Sequence, residues 1–444
     1  MDEAQEAQTI GLGYFFWVCR MNWHEIKKII FTIKSDGFVS NSSILFCGSF
    51  LVGVINYFYQ LLMARLLSIS DYGELQSIFA LISLVGVLTA TLSIVITKYT
   101  ADYNSRNQIN KVRAIFGEFS QKAVIAGAVV FIITGIFSGQ VAHFLNIYTI
   151  VPIIIAGISP AFGFPAVVNT AILSGLHKFR AMSAISVSAT LVKIIFAVIL
   201  VKLGFALNGA IAAVVIAAIC GYIISFYPIK FLFKIQSSSV ETTEMLKYSL
   251  PAFFSIIFTS LLLNANVILV KHYFSAQAAG EYGALVVLGN LIYFLVGPIS
   301  SVMFPMAAHA HGNQGHPAKV LKKAVALVVL LGGATVGAYF IFHRLIITLL
   351  IGGKFASAGT YLGWFGLSML SCSLVALIAN YFLSVGRTRG AYLVGAGALA
   401  QIALIVCFHS SMNQIIWIMN LTAAFTVVLL AGYFVKIYYL CPKN

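Results

Sequence analysis

Three cationic side chains occupy positions where a charge is costly unless it is used. Lys193 stands at the centre of the apolar run SAISVSATLVKIIFAVILVKLGF, residues 183–205. An ammonium at mid-membrane costs at least ~2.5–3.5 kcal/mol on insertion scales, so it faces a wet cavity or snorkels to an interface. Arg65 and Lys271 sit at matching ends of two other apolar runs. Each reads either as an interfacial anchor or as one arm of an anion-binding pair across a gap. Arginine suits phosphate because its planar fork offers paired donors. Neutral polar groups share these runs: Asn56, Tyr57, Tyr59 and Gln60 on the first, Asn264 and Asn266 on another, Asn290 and Tyr293 on the next. They read as ligands for sugar hydroxyls or as hydrogen-bonding glue between helices. Together they define the candidate binding set: Arg65, Lys193 and Lys271 for an anion, and Asn56, Tyr59, Gln60, Asn264, Asn266 and Asn290 for polar substrate groups.

The acidic side chains point the other way. All 12 Asp and Glu fall in tails, loops or helix ends, and no apolar run carries a carboxylate at its middle. Ion-coupled transport usually relies on such buried acids, so simple cation antiport loses support. His309, His311 and His316 lie in HAHGNQGH with no carboxylate or cysteine beside them, which reads as a solvated loop and not a metal site. The six cysteines are scattered and form no CxxC, so neither a disulfide frame nor a zinc site is expected. No GxxxxGK[ST] loop and no Ser-His-Asp arrangement appears, and no cofactor is expected.

What must position these groups is a membrane bundle. The chain has 444 residues, 60% hydrophobic and 9% charged, against about 25% charged in soluble domains. The mean hydropathy is +0.98. A water-soluble domain is excluded by this composition, and a porin-like barrel by continuous rather than alternating apolar runs. Pro160, Pro165, Pro251, Pro298 and Pro305 fall within or beside the runs, as suits helices that bend. Twelve stretches are long enough to cross a bilayer: 40–64, 74–97, 121–140, 148–173, 183–203, 208–229, 248–270, 283–306, 322–343, 358–384, 391–409 and 413–435. The least distinct division is inside 183–229, where only GFALN separates two spans.

The net charge of +15 reflects loops and not nucleic-acid binding. With the N-terminus inside, 21 of the 27 Lys and Arg fall on the inside and five on the outside. The basic bias therefore predicts twelve helices with both termini cytoplasmic. The start carries acidic residues and no basic region or small-residue cleavage site, so 1–37 is read as a cytoplasmic tail with one amphipathic turn on the membrane. The expected organisation is a first lobe over 38–229, a linker over 230–247, a second lobe over 248–436 and a tail over 437–444.

The chain also resembles itself. Tyr72-Gly73 and Tyr282-Gly283 are 210 residues apart, while Gly86 and Gly297, Asn169 and Asn380, and Gly175 and Gly386 are each 211 apart. An even number of helices per repeat gives both halves one orientation, related by an axis along the membrane normal. The fold class expected is an all-α integral membrane protein, about twelve helices in two pseudo-symmetric six-helix lobes around a central cavity.

Two stretches carry a family resemblance. NYFYQLLMARLLSISDYGELQSIFALISLVG (56–86) resembles the opening helix pair of the polysaccharide transporters of the multidrug/oligosaccharidyl-lipid/polysaccharide flippase superfamily. NANVILVKHYFSAQAAGEYGALVVLGNLIYFLVGPISSVMFPMAAHA (264–310) is similar to their seventh and eighth helices, including Gly280, Tyr282, Phe304 and Pro305. The resemblance spans most of 38–436. It implies a Wzx-type flippase that moves undecaprenyl-pyrophosphate-linked oligosaccharide units across a bacterial inner membrane for O-antigen, capsule or exopolysaccharide synthesis. Lipid-linked oligosaccharide and membrane lipids are the implied partners, with a polysaccharide polymerase and chain-length machinery beside them. Many relatives carry Asp near the position of Asn266, which weakens any carboxylate-coupled ion step here. The alternatives are a multidrug or metabolite antiporter of the same superfamily, which needs a membrane carboxylate, and a polymerase or glycosyltransferase, which needs a large external loop.

Overall fold

The computed structural model describes residues 37–440 apart from 241, 295 and 313–315. The predicted tail 1–37 falls almost wholly outside the described residues, as do the end of the 437–444 tail and part of the 230–247 linker. The described chain is helical throughout. Helices α1 (Gly37–Leu66), α2 (Ile69–Ser105), α3 (Ile109–Ile136), α4 (Val151–Gly175), α5 (Phe179–Leu200) and α6 (Ala206–Phe226) form the first half. The second half holds α7 (Thr242–Tyr273), α8 (Ala276–Phe294, resuming as Val296–Gly312), α9 (Pro317–Leu350), α10 (Gly359–Ser384), α11 (Arg389–Cys407) and α12 (Met412–Val435). Eleven described stretches are long and apolar enough to cross a membrane. One of them, Phe179–Lys234, contains both α5 and α6, so among the described residues the spanning helices number twelve, as the sequence predicts, with one short additional helix, Ser138–Phe144, before α4.

The α5–α6 division turns on Gly204. Its φ of +93° lies in the left-handed region that glycine enters without strain, and the chain reverses there. Several helices outrun the predicted spans. α2 has 37 residues, roughly 55 Å of helix. At its start the Ser68 hydroxyl accepts from the Asp71 amide at 3.0 Å and donates to Asp71 Oδ2 at 2.8 Å, a side-chain cap for donors that the helix leaves unpaired. Ser275 caps α8 the same way through the Ala278 amide at 3.3 Å. The second segment of α8 reaches Gly312, so His309 and His311 stand on a helix and His316 just before α9, not in one open loop. Among the described residues no group of His, Cys, Asp and Glu could hold a metal.

The internal repeat is visible where the halves touch. A Cβ on Gly73 would lie 2.6 Å from the Gly280 nitrogen, and one on Gly283 would lie 2.8 Å from Gln76 Cγ. Gly73 of α2 thus meets α8 at the Gly280 backbone, while Gly283 packs on the side chains of Gln76 and Tyr72, with Tyr72 and Tyr282 fully buried beside them. The repeated pair Gly175 and Gly386 is not equivalent in role. Gly386 is the positive-φ residue after α10 (φ +70°), whereas after α4 that conformation falls to His177 (φ 56°) and Gly175 packs on Thr100.

Candidate functional site: a cationic cavity between the halves

Gly53, Asn56, Tyr57 and Gln60 lie three, four and seven residues apart, so they form one face of α1. That face meets Phe79, Ile82 and Ser83 of α2, Lys193 of α5, Val214 of α6, and Asn290, Leu291 and Phe294 of α8. They enclose a cavity of about 490 Å³ bounded by both halves. Gly53 is small because the Phe294 ring occupies the place of its Cβ, with Cζ at 2.6 Å.

Lys193 is the charged group of this cavity. Its ammonium donates to Asn56 Oδ1 and stands 4.4 Å from the centroid of the Tyr59 ring. The ring is fixed in turn, because the buried Tyr59 hydroxyl donates to the Ala210 carbonyl at 3.0 Å. Gln60 Oε1 accepts from Gln76 Nε2 at 2.9 Å, which ties α1 to α2. The Tyr57 hydroxyl is buried on the cavity wall and has no partner among the described residues. Among the described residues no carboxylate lines the cavity. Asn56 and the Tyr59 face offer partial negative charge only, so the ammonium keeps its net charge and its capacity for an anion.

Other predicted site residues lie elsewhere, each for a physical reason. Lys271 is 1% exposed and stands 3.6 Å from Glu74 at the start of α2, with its ammonium donating to the Asn146 carbonyl at 3.3 Å. Its charge is already paired across the halves. Arg65 lies at the exposed end of α1 and donates to the carbonyls of Leu349 and Leu350 at the end of α9, at 3.3 Å to the latter. Arg65 and Lys271 therefore do not converge with Lys193 on one anion. Asn266 is buried against Tyr282, whose hydroxyl donates to Asn266 Oδ1 at 3.0 Å, so it serves packing within the second half. Tyr59 offers its ring and not its hydroxyl. Asn56, Gln60 and Asn290 do share the cavity with Lys193.

Asn264 lines a second cavity, of about 870 Å³, between α7, α8 and α10 with Ile94 of α2 on its edge. Its polar lining of Ser255, Thr259, Ser260, Asn264, Asn380 and Thr388 was mostly not singled out from sequence. The signal was present: 255, 259, 260 and 264 recur at helical spacing along one face of α7. Ser83 of the first cavity and the partner role of Glu74 carry no such signal in the sequence, whereas Tyr57 stands among the polar groups of α1 read there, outside the candidate binding set.

Cross-half bonds gather at the end of the bundle where α1 and α7 finish and α2 and α8 begin. Beside the Glu74–Lys271 pair, Asn146 Nδ2 donates to the His272 carbonyl at 2.9 Å, and the His272 ring stacks on Phe144 with centroids 4.1 Å apart. Lys354 donates to the carbonyls of Arg65, at 3.2 Å, and Leu67. Packed glycines and an ion pair thus close this end.

Two halves of six spanning helices around a cavity between them give the fold found in solved transporters of the MOP superfamily. An inward-facing multidrug-resistance MATE transporter aligns with a TM-score of 0.71 at 14% identity, over 86% of this chain and 94% of its own. The lipid II flippase MurJ, in an inward closed conformation, aligns at 0.68 and 15% identity, over 88% and 87%. A MOP-superfamily transporter from Pyrococcus furiosus aligns at 0.61 and 13% identity, over 89% and 95%. These likenesses are of fold. The sequence matches none of the curated proteins significantly. The model of the polysaccharide biosynthesis protein family matches residues 62–359, and the chain belongs to that family. It is a multi-pass membrane protein, with eleven described stretches long and apolar enough to span a bilayer.

Proposed function

We propose that this chain is a flippase that carries undecaprenyl-pyrophosphate-linked oligosaccharide units from the cytoplasmic to the periplasmic leaflet of a bacterial inner membrane. The products would be O-antigen, capsule or exopolysaccharide, with polymerase and chain-length machinery as neighbours. The observation that carries this reading is Lys193: a mid-span ammonium facing a cavity whose described lining holds no carboxylate. A lipid pyrophosphate bears negative charge that must be sheltered in transit, and a fixed cation in a low-dielectric setting does that. Tyr57, Asn56, Gln60 and Asn290 supply neutral polar contacts around it. The lipid tail stays in the bilayer beside the bundle. Coupling through a carboxylate in either cavity has no residue to act through among the described lining.

Alternating access follows if residues 38–229 and 248–436 rock as bodies so that the Gly73–Gly280 crossing separates, with 230–247 as the linker. With both termini cytoplasmic, as the basic residues suggest, the closed end faces the periplasm and the cavities are reached from the cytoplasm. Flipping then requires the Glu74–Lys271 pair to part. The experiment deletes the gene and asks on which leaflet lipid-linked repeat units accumulate. Accumulation on the cytoplasmic leaflet, reversed by the wild-type chain, is expected. Normal delivery to the periplasmic leaflet without the gene contradicts the proposal.

A further inference from the structure

The larger cavity is built from different chemistry than the one around Lys193. One stripe of α7 supplies Ser255, Thr259, Ser260 and Asn264, and Asn380 faces them from α10. The donors are partly spent on the helices themselves. Thr259 Oγ1 donates to the Ser255 carbonyl at 2.9 Å, and Asn264 Nδ2 donates to the Ser260 carbonyl at 2.9 Å. Asn380 Nδ2 donates to Ser300 Oγ at 3.2 Å. These bonds fix the side chains and leave amide and hydroxyl oxygens to accept from a guest. Tyr293 and Phe304 of α8 add aromatic surface, Phe304 with 40% of its area exposed. Among the described residues no Asp, Glu, Lys or Arg lines the cavity; Arg387 and Arg389 bracket Thr388 at its rim without lining it.

Fixed acceptors and aromatic faces without charge match neutral, hydroxyl-rich sugar rings. An acidic sugar would leave a carboxylate there without a counter-charge, at high desolvation cost. The two cavities are neighbours across one turn of α8, where Asn290 and Phe294 face the first and Tyr293 the second. We propose that the α7–α8–α10 cavity is a separate sugar compartment that accepts uncharged glycans while Lys193 holds the linking phosphate. This rests on the flippase reading above and adds to it the site and the charge class of the sugars.

The test uses the full-length protein in lipid vesicles and two probes: undecaprenyl pyrophosphate bearing one N-acetylhexosamine, and the same lipid bearing a neutral tetrasaccharide. Flipping is compared for wild type, the double variant Thr259→Val/Asn264→Leu, and Lys193→Ala. The double variant is expected to lower flipping of the tetrasaccharide lipid about tenfold, the loss of one to two hydrogen bonds, and to leave the one-sugar lipid near wild type. That second rate shows the variant is folded. Equal loss on both probes, no loss on either, or a wild type that carries only the one-sugar lipid overturns the compartment. A wild type that carries neither probe overturns the flippase reading instead. As a second readout, a tetrasaccharide containing one uronic acid should flip several-fold more slowly than the neutral one; equal rates also overturn the proposal.

Discussion

Arg65 and Lys354 cap each other's helices. Arg65, at the end of α1, donates to the last carbonyls of α9, and Lys354, just beyond α9, donates to the carbonyls of Arg65 and Leu67 at the end of α1. Helix C-termini present unpaired carbonyls with partial negative charge, so each cation satisfies the other helix and bridges the halves. Arg65→Ala is therefore expected to lower thermal stability in detergent modestly, by about 0.5–2 kcal/mol. Arg65→Lys should recover part of it. A large transport defect at unchanged stability would instead place Arg65 on the substrate.

The Glu74–Lys271 pair gives a sharper pattern. Removing one member of a buried pair strands the other charge and costs about 3–5 kcal/mol, whereas replacing both with apolar groups is often neutral. Lys271→Met alone should lower Tm clearly, and Glu74→Leu/Lys271→Met should restore much of it. Thermal unfolding of the three proteins measures this. A double variant no more stable than the single one would mean that Lys271 is held by something other than Glu74.

At Gly73 a Cβ would press on the Gly280 backbone, which cannot swing aside as a side chain can. Gly73→Val should wedge α2 and α8 apart, at about 1–3 kcal/mol. The readout is labelling of a cysteine introduced at Gln76, a buried position, by a water-soluble maleimide. Several-fold faster labelling in the Gly73→Val background is expected; an unchanged rate would show that the crossing does not seal this end.

The reversal between α5 and α6 offers a local check. Gly204 sits at φ +93° and Ala206 at φ +40°. Gly204→Ala should cost about 1–2 kcal/mol, while Ala206→Gly should be neutral or stabilising. Relative Tm values of the two variants decide the point.

Much of the bundle was legible in the sequence because a bilayer leaves few options. Apolar length fixes the helices, and even the crowded 183–229 stretch divides at GFALN, where Gly204 turns the chain. The repeat spacing found Tyr72-Gly73 and Tyr282-Gly283, which the fold brings together. Lys193 stood out because a charge amid aliphatic side chains has few comfortable environments. The fates of Arg65 and Lys271 were not legible. Both depend on what faces a helix end across the bundle: the α9 carbonyls in one case, Glu74 in the other. Spacing along one helix carries no information about such partners. Asn264 and Asn266 show the same limit, since two residues apart on a helix they point to different neighbours, one to a cavity and one to Tyr282.

The central claim is that the Lys193 ammonium shelters a phosphate during passage. The most direct measurement is the flipping rate of undecaprenyl-pyrophosphate-linked oligosaccharide by purified protein in vesicles, compared among wild type, Lys193→Arg, Lys193→Ala and Lys193→Met. A charge-dependent role predicts that the arginine variant retains much of the rate while alanine and methionine lose it by tenfold or more, about 1.4 kcal/mol. Equal rates in all four proteins, at equal stability, would contradict it.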